Sequence, residues 1–186
     1  MSVKSVKGSG LGLIHCYTGD GSGKTRAAFG LALRALGHGY EVHIVQFMKG
    51  KWRDKEEFGE VKTAEKIECL YVYRFGTGKL IREKEEVTDI DREMASRGLD
   101  HVIELFQKNG PKLVVLDEVN IALYYGLLKL DKVIKVIENK PENVELILTG
   151  ENAPSMIRSK ADYLVEFRNI KHPYQEGLEA RKGIEY

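Results

Sequence analysis

The sequence predicts an α/β fold, a mainly parallel sheet with helices on both faces. Two observations carry this: apolar runs of strand length recur along the chain, and helical segments lie between many of them. The runs are Leu11 to Tyr17, Glu41 to Phe47, Glu68 to Phe75, Leu113 to Leu116, Val144 to Leu148 and Tyr163 to Phe167. Several are continuously apolar, as parallel strands covered on both faces are. Lys24 to Leu36, rich in alanine and leucine and stopped by Gly37, reads as the first long helix. Thr88 to Lys108 reads as a second, ended by Asn109-Gly110-Pro111. Asp131 to Glu138 places Val133, Ile134 and Ile137 on one face, with Asp131 as the expected N-cap.

A chain of 186 residues fits one domain over 1–186, able to bury roughly 70% of its unfolded surface without staples. One stretch, about 49–97, is densely charged, as in Arg53-Asp54-Lys55-Glu56-Glu57 and Arg82-Glu83-Lys84-Glu85-Glu86. It reads as a variable insertion, either a solvated surface or a mobile cover over a site at the strand ends. The formal net charge of +1 supplies no global field to recruit nucleic acid or an anionic membrane. No apolar stretch approaches the ~20 residues of a membrane span. Lys4 and Lys7 precede an apolar run, but that run holds His15 and leads into glycine-rich sequence rather than a cleavage site. The two cysteines, Cys16 and Cys69, show no metal or redox spacing and are expected to be buried thiols. Together these features point to the cytoplasm.

The strongest chemical signal is Thr18-Gly19-Asp20-Gly21-Ser22-Gly23-Lys24-Thr25, between an apolar run and the first helix. That context makes it a P-loop. Gly19, Gly21 and Gly23 let successive amides turn inward on an anion, and the helix N-terminus adds unpaired N–H groups. Lys24 supplies a point charge for the β- and γ-phosphates of ATP, and the Thr25 hydroxyl is placed for Mg²⁺. The generic motif begins with glycine; this one begins with Thr18. A second element, Leu113-Val114-Val115-Leu116-Asp117-Glu118, is an apolar strand ending in an acidic pair. P-loop proteins use such a strand to reach the metal on the phosphates, which makes Asp117 and Glu118 metal candidates. If the two strands are parallel neighbours, both elements share one sheet edge. Arg26 and Arg34 lie on the first helix, either as a solvent-facing stripe or, for Arg34, as a phosphate contact. These residues establish nucleotide binding and leave the reaction open: an ATPase with Glu118 as base, or a small-molecule kinase, fits them as well.

The chain resembles the P-loop ATP:corrinoid adenosyltransferases of cobalamin biosynthesis and salvage. The resemblance runs through Tyr17-Thr18-Gly19-Asp20-Gly21 into Ala27-Ala28-Phe29-Gly30-Leu31-Ala32-Leu33-Arg34-Ala35, then Gly37-His38-Gly39 and Val45-Gln46-Phe47-Met48-Lys49-Gly50. It continues in Leu116-Asp117-Glu118-Val119-Asn120-Ile121-Ala122-Leu123, Leu148-Thr149-Gly150-Glu151-Asn152-Ala153-Pro154 and Lys171-His172-Pro173-Tyr174. Thr18 at the first P-loop position is usual in that family. The resemblance implies a RecA-like fold and attack of cobalt(I) on the 5′ carbon of ATP, with triphosphate leaving and no general base required. It assigns Lys24, Thr25 and Glu118 to catalysis and Thr18 through Thr25 with Arg34 to the nucleotide. Thr25 and Glu118 go to Mg²⁺, with Asp117 as a further metal ligand or a residue behind them. It further implies a homodimer and an electron-donating flavoprotein partner, with cobalamin or a corrinoid precursor as substrate.

Two departures accompany the resemblance. Only a short segment precedes Leu11, where many members carry a longer cover over the corrinoid. Where members often show glycine then Phe-x-Trp, this chain has Gly76-Thr77-Gly78-Lys79-Leu80-Ile81, and its single tryptophan is Trp52. Lys79 and Ile81 thus stand in place of the aromatics that help displace the lower cobalt ligand.

Overall fold

Six parallel strands form one sheet in the order β3-β2-β4-β5-β1-β6 in the computed structural model, which describes residues 10–50, 58–108 and 110–185. The strands are β1 (Ile14–Thr18), β2 (Val42–Phe47), β3 (Leu70–Phe75), β4 (Leu113–Asp117), β5 (Glu145–Thr149) and β6 (Tyr163–Glu166). The helices are α1 (Lys24–Leu36), α2 (Gly59–Ala64), α3 (Asp89–Phe106), α4 (Val119–Tyr124), α5 (Leu130–Glu138) and α6 (Ser155–Lys160). This is the expected α/β architecture. Each apolar run contains a strand, and the three longest helices fall where they were expected.

Side-chain alternation divides the core in two. Val42, Ile44, Leu113, Val115 and Ile147 face α1 and pack with Ala28 and Ala32. Val45, Phe47, Val114, Leu116, Leu146 and Leu148 face the other way, toward Leu99, Val102 and Leu105 of α3 and Val133 and Ile137 of α5. Full burial of each large side chain contributes roughly 1.5–3 kcal/mol. The continuous apolar reading of β2, β4 and β5 follows from this two-sided cover. Gly98 brings α3 close, since a Cβ there would stand 2.8 Å from the Phe47 ring and 3.1 Å from that of Phe75.

Local chemistry sets the ends of the helices. Thr88 caps α3 in a reciprocal box, accepting from the Asp91 N–H while the Asp91 carboxylate accepts from the Thr88 N–H. The residue ahead of α5 is Lys129 rather than Asp131. Asp131 lies inside the first turn, where its charge still opposes the helix dipole. Within the charged stretch lie α2, β3 and the start of α3. Residues 51–57, Trp52 among them, and Asn109 lie outside the described residues. Cys16 is buried as expected, but Cys69 is exposed, in a left-handed turn (φ 63°) that precedes β3.

At the opposite end of the sheet from the P-loop, between β2, β3 and α3, lies an aromatic cluster. His43 stacks on Tyr71 (4.8 Å) and Tyr73, and Tyr73 packs on His101 (4.1 Å). Burial depresses both imidazoles. Lys108 adds to this, and His43 adds to it for His101, against the opposing pull of Glu41 on His43 and Glu104 on His101. With folded pKa values below the unfolded ~6.5, the folded protein binds fewer protons as pH falls through that value. Stability is therefore complete above about pH 7 and declines on acidification. Melting temperatures between pH 7.5 and 5.5 are expected to fall, and a His43→Phe/His101→Phe variant to lose most of that slope.

Candidate active site

The P-loop begins where β1 ends, and its glycines answer two different demands. Gly19 and Gly23 take positive φ (95° and 113°), open to glycine without strain. Gly21 is required by space. A Cβ there would lie 2.5 Å from the Arg168 nitrogen, and one at Gly19 would lie 2.2 Å from the Phe167 carbonyl oxygen. The chain after β6 thus braces the loop. Gly21 N–H donates to the Phe167 carbonyl (2.9 Å), and Ser22 N–H donates to Asn169 Oδ1 (2.9 Å). Thr18 has a scaffold role, its hydroxyl accepting from the Ala153 N–H at 3.2 Å. The Asp20 side chain is exposed, and its carbonyl accepts from Asn169 Nδ2 (3.3 Å).

Helix α1 starts at Lys24 without a side-chain cap and with no acidic residue in its first turn. Its unpaired amides and the positive end of its dipole therefore face the loop, the arrangement that binds phosphate. Lys24 Nζ donates to the Gly19 carbonyl (2.7 Å) and the Gly21 carbonyl (2.9 Å), and lies 3.8 Å from Glu151. The ammonium is folded back into the loop it serves.

Strand β4 does not neighbour β1, because β5 lies between them. Both nevertheless end at the same sheet edge, and a hydrogen-bonded hub links them. Asp117 is fully buried and accepts four donors. Thr25 Oγ1 (2.8 Å) and Thr149 Oγ1 (2.7 Å) reach Oδ1, while Lys49 Nζ (2.8 Å) and Gln46 Nε2 (3.1 Å) reach Oδ2. Burial alone would raise this carboxyl, but the Lys49 ammonium and the hydrogen bonds from Lys49, Thr149 and Thr25 outweigh it and hold Asp117 below the usual carboxylate range. Thr149 Oγ1 also accepts the Glu118 N–H (2.9 Å), fixing the start of α4. Glu118 takes a left-handed conformation (φ 64°) and lines the cleft. Burial, then the Asp117 charge, push its carboxyl up against the pull of Lys49 and Lys24.

Backbone strain gathers here. Four described non-glycine residues have left-handed φ, and Met48, Glu118 and Asn152 follow β2, β4 and β5 at this edge. Such conformations persist where surrounding structure enforces them, and they cluster at functional sites. The cleft that Glu118 lines is about 880 Å³, within the 300–1,000 Å³ range of small-molecule sites.

The structure brings together Thr18 through Thr25, Asp117 and Glu118. It does not bring Arg34 to them: that residue is exposed in the last turn of α1, while Arg26, in the first, lines the cleft. Lys49, Glu151 and Asn169 also line it. They were quoted only within motifs, or in the case of Asn169 not at all. Lys79 donates to the Glu86 carbonyl (2.8 Å) and Ile81 is buried, so the exposed apolar group of that loop is Leu80.

The donor set suits Mg²⁺. Thr25 spends its proton on Asp117, leaving its lone pairs for a cation, and Glu118 has no hydrogen-bond donor among the described residues. Asp117, saturated by four donors, fits a role behind the metal rather than as a direct ligand. No cluster of three or more His, Cys, Asp or Glu is present among the described residues, and none is needed where phosphates and water complete the shell.

Comparison with known proteins identifies the family. Residues 10–186 match the family described as ATP:corrinoid adenosyltransferase BtuR/CobO/CobP. The corrinoid adenosyltransferase of Pseudomonas aeruginosa is 35% identical over 176 residues, covering 94% of this chain and 84% of that protein. The corrinoid adenosyltransferase of Escherichia coli K12 is 33% identical over 175 residues, 94% of this chain and 86% of that protein. That of a Sinorhizobium species is 32% identical over 191 residues, 99% of this chain and 85% of its own length. These matches span nearly the whole chain, and the chain belongs to the ATP:corrinoid adenosyltransferase family.

Proposed function

We propose that the protein transfers the 5′-deoxyadenosyl group of ATP to the cobalt of a reduced corrinoid and releases inorganic triphosphate. The family match over residues 10–186 carries this reading. In the transfer, the cobalt(I) electron pair forms a bond to C5′ and cobalt becomes formally cobalt(III). The C5′–O bond breaks, and its electrons leave on the triphosphate. Cobalt(I) is itself the nucleophile, so Glu118 is not required as a base. The protein's task is to hold the substrates and stabilise a leaving group of growing charge.

The P-loop amides, the α1 N-terminus and Lys24 are assigned to the triphosphate. Thr25 and Glu118 are assigned to hold Mg²⁺, which would supply countercharge to the phosphate oxygens. Asp117 orients Thr25 and, through Thr149, Glu118. Arg34, exposed in the last turn of α1, is assigned to the triphosphate by the resemblance alone. A homodimer, a flavoprotein electron donor and a cytoplasmic setting follow from the resemblance. Exposed Tyr163, Leu164 and Val165 on edge strand β6 support self-association. No described helix is long and apolar enough to cross a membrane.

The test is an anaerobic reaction with chemically reduced cobalamin, Mg²⁺ and ATP, following the corrinoid spectrum and phosphate products together. Adenosylcobalamin with equimolar triphosphate is expected. ADP and phosphate without adenosylation would overturn the reaction while leaving nucleotide binding in place.

A further inference from the structure

The cleft contains a second ammonium group, so far described only as a partner of Asp117. Lys49 leaves the end of β2 and lines the same cleft as Lys24, Thr25 and Glu118. Its bond to Asp117 is its one hydrogen bond among the described residues. An ammonium has three donors, so two remain, on a side chain 21% exposed. Lys24, Lys49 and Glu118 line one cleft, so the two cations border the same space.

The backbone that delivers Lys49 is built at a cost. Met48, just before it, is left-handed (φ 61°) and donates its N–H to the Phe75 carbonyl (2.9 Å). Gly50, just after it, packs backbone to backbone on the next loop, and a Cβ there would stand 2.2 Å from the Gly76 carbonyl oxygen. A solvated surface lysine needs neither device. Asp117 already has three other donors, so a counter-ion alone would not need two spare N–H groups in the cleft.

We propose that Lys49 is a second cationic contact to the triphosphate, holding Asp117 with one N–H and presenting the others to oxygens of the leaving group. This rests on the adenosyl-transfer reading, in which the whole triphosphate departs and gains charge as the C5′–O bond breaks. A fixed ammonium in a shielded cleft stabilises that charge without reorganising. Lys24 approaches from the P-loop, and Lys49 from the end of β2.

The test is calorimetric titration with inorganic triphosphate in EDTA, which removes any share carried by a metal on Thr25 and Glu118. Wild type, Lys49→Met, Lys49→Arg, Asp117→Asn and the Asp117→Asn/Lys49→Met double variant are compared, each with a melting curve. Lys49→Met is expected to bind roughly 10- to 100-fold more weakly, the range for loss of a charged hydrogen bond. Lys49→Arg should recover most of that. The loss should persist in the Asp117→Asn background, where removing Lys49 leaves no buried carboxylate unpaired. Equal binding by wild type and Lys49→Met would overturn the proposal. So would a loss that vanishes in the Asp117→Asn background, since Lys49 would then be only a counter-ion. A wild-type protein that fails to bind triphosphate would instead overturn the underlying P-loop assignment, and this proposal with it.

Discussion

Replacing Lys24 by alanine is expected to slow adenosyl transfer by about 10²–10³-fold, the usual cost of deleting one preorganised group that stabilises developing charge. The melting curve should barely move. Among the described residues Lys24 donates to the Gly19 and Gly21 carbonyls, with Glu151 at 3.8 Å, so its loss leaves two loop carbonyls without that donor but strands no buried charge. Anaerobic rates at saturating ATP and reduced cobalamin, set beside circular-dichroism melts, separate the two effects. Turnover close to wild type in Lys24→Ala would remove the lysine from the leaving-group site.

Asp117→Ala is expected to act in the opposite way, first on the fold. It deprives the Lys49 ammonium, two threonine hydroxyls and the Gln46 amide of their shared acceptor, at a position with no solvent exposure. Breaking a buried ion pair from one side costs about 3–5 kcal/mol. For a chain of this length that is a fall in Tm of about 10 °C. Asp117→Asn keeps an oxygen for Thr25 and Thr149 and should lose clearly less. Urea unfolding of both variants checks the ranking, and an Asp117→Ala protein as stable as wild type would mean that the hub holds nothing together.

The P-loop was legible in the sequence because its chemistry is local: three glycines, a lysine and a threonine within eight positions. The helix that follows and the acidic strand end were legible for the same reason. Strand order was not. The placing of β5 between β1 and β4 depends on long-range pairing, which periodicity does not encode. Partners that reach across the sheet were hidden with it. Asn169 meets Ser22 across 147 residues, and no local pattern marks it. Lys49 sat inside a quoted motif, but its task appears only when β2 lies beside β4. Helices α2, α4 and α6, of six residues each, are too short to show a helical period. Arg34 is a different case: the resemblance assigns it to the triphosphate, and in this single chain it lies exposed in the last turn of α1.

The position of β1 sets the order in which the protein can be made. Its sheet partners are β5 and β6, and the residues that anchor its start, Gly12 and Glu145, are 133 positions apart. During synthesis the P-loop segment leaves the ribosome before either strand that β1 pairs with, so β1 has no strand to dock on until β5 has followed. β2, β3 and β4 pair among themselves and are free to assemble earlier around α3. The site is therefore complete only once β5, β6 and the bracing segment after β6 have been made.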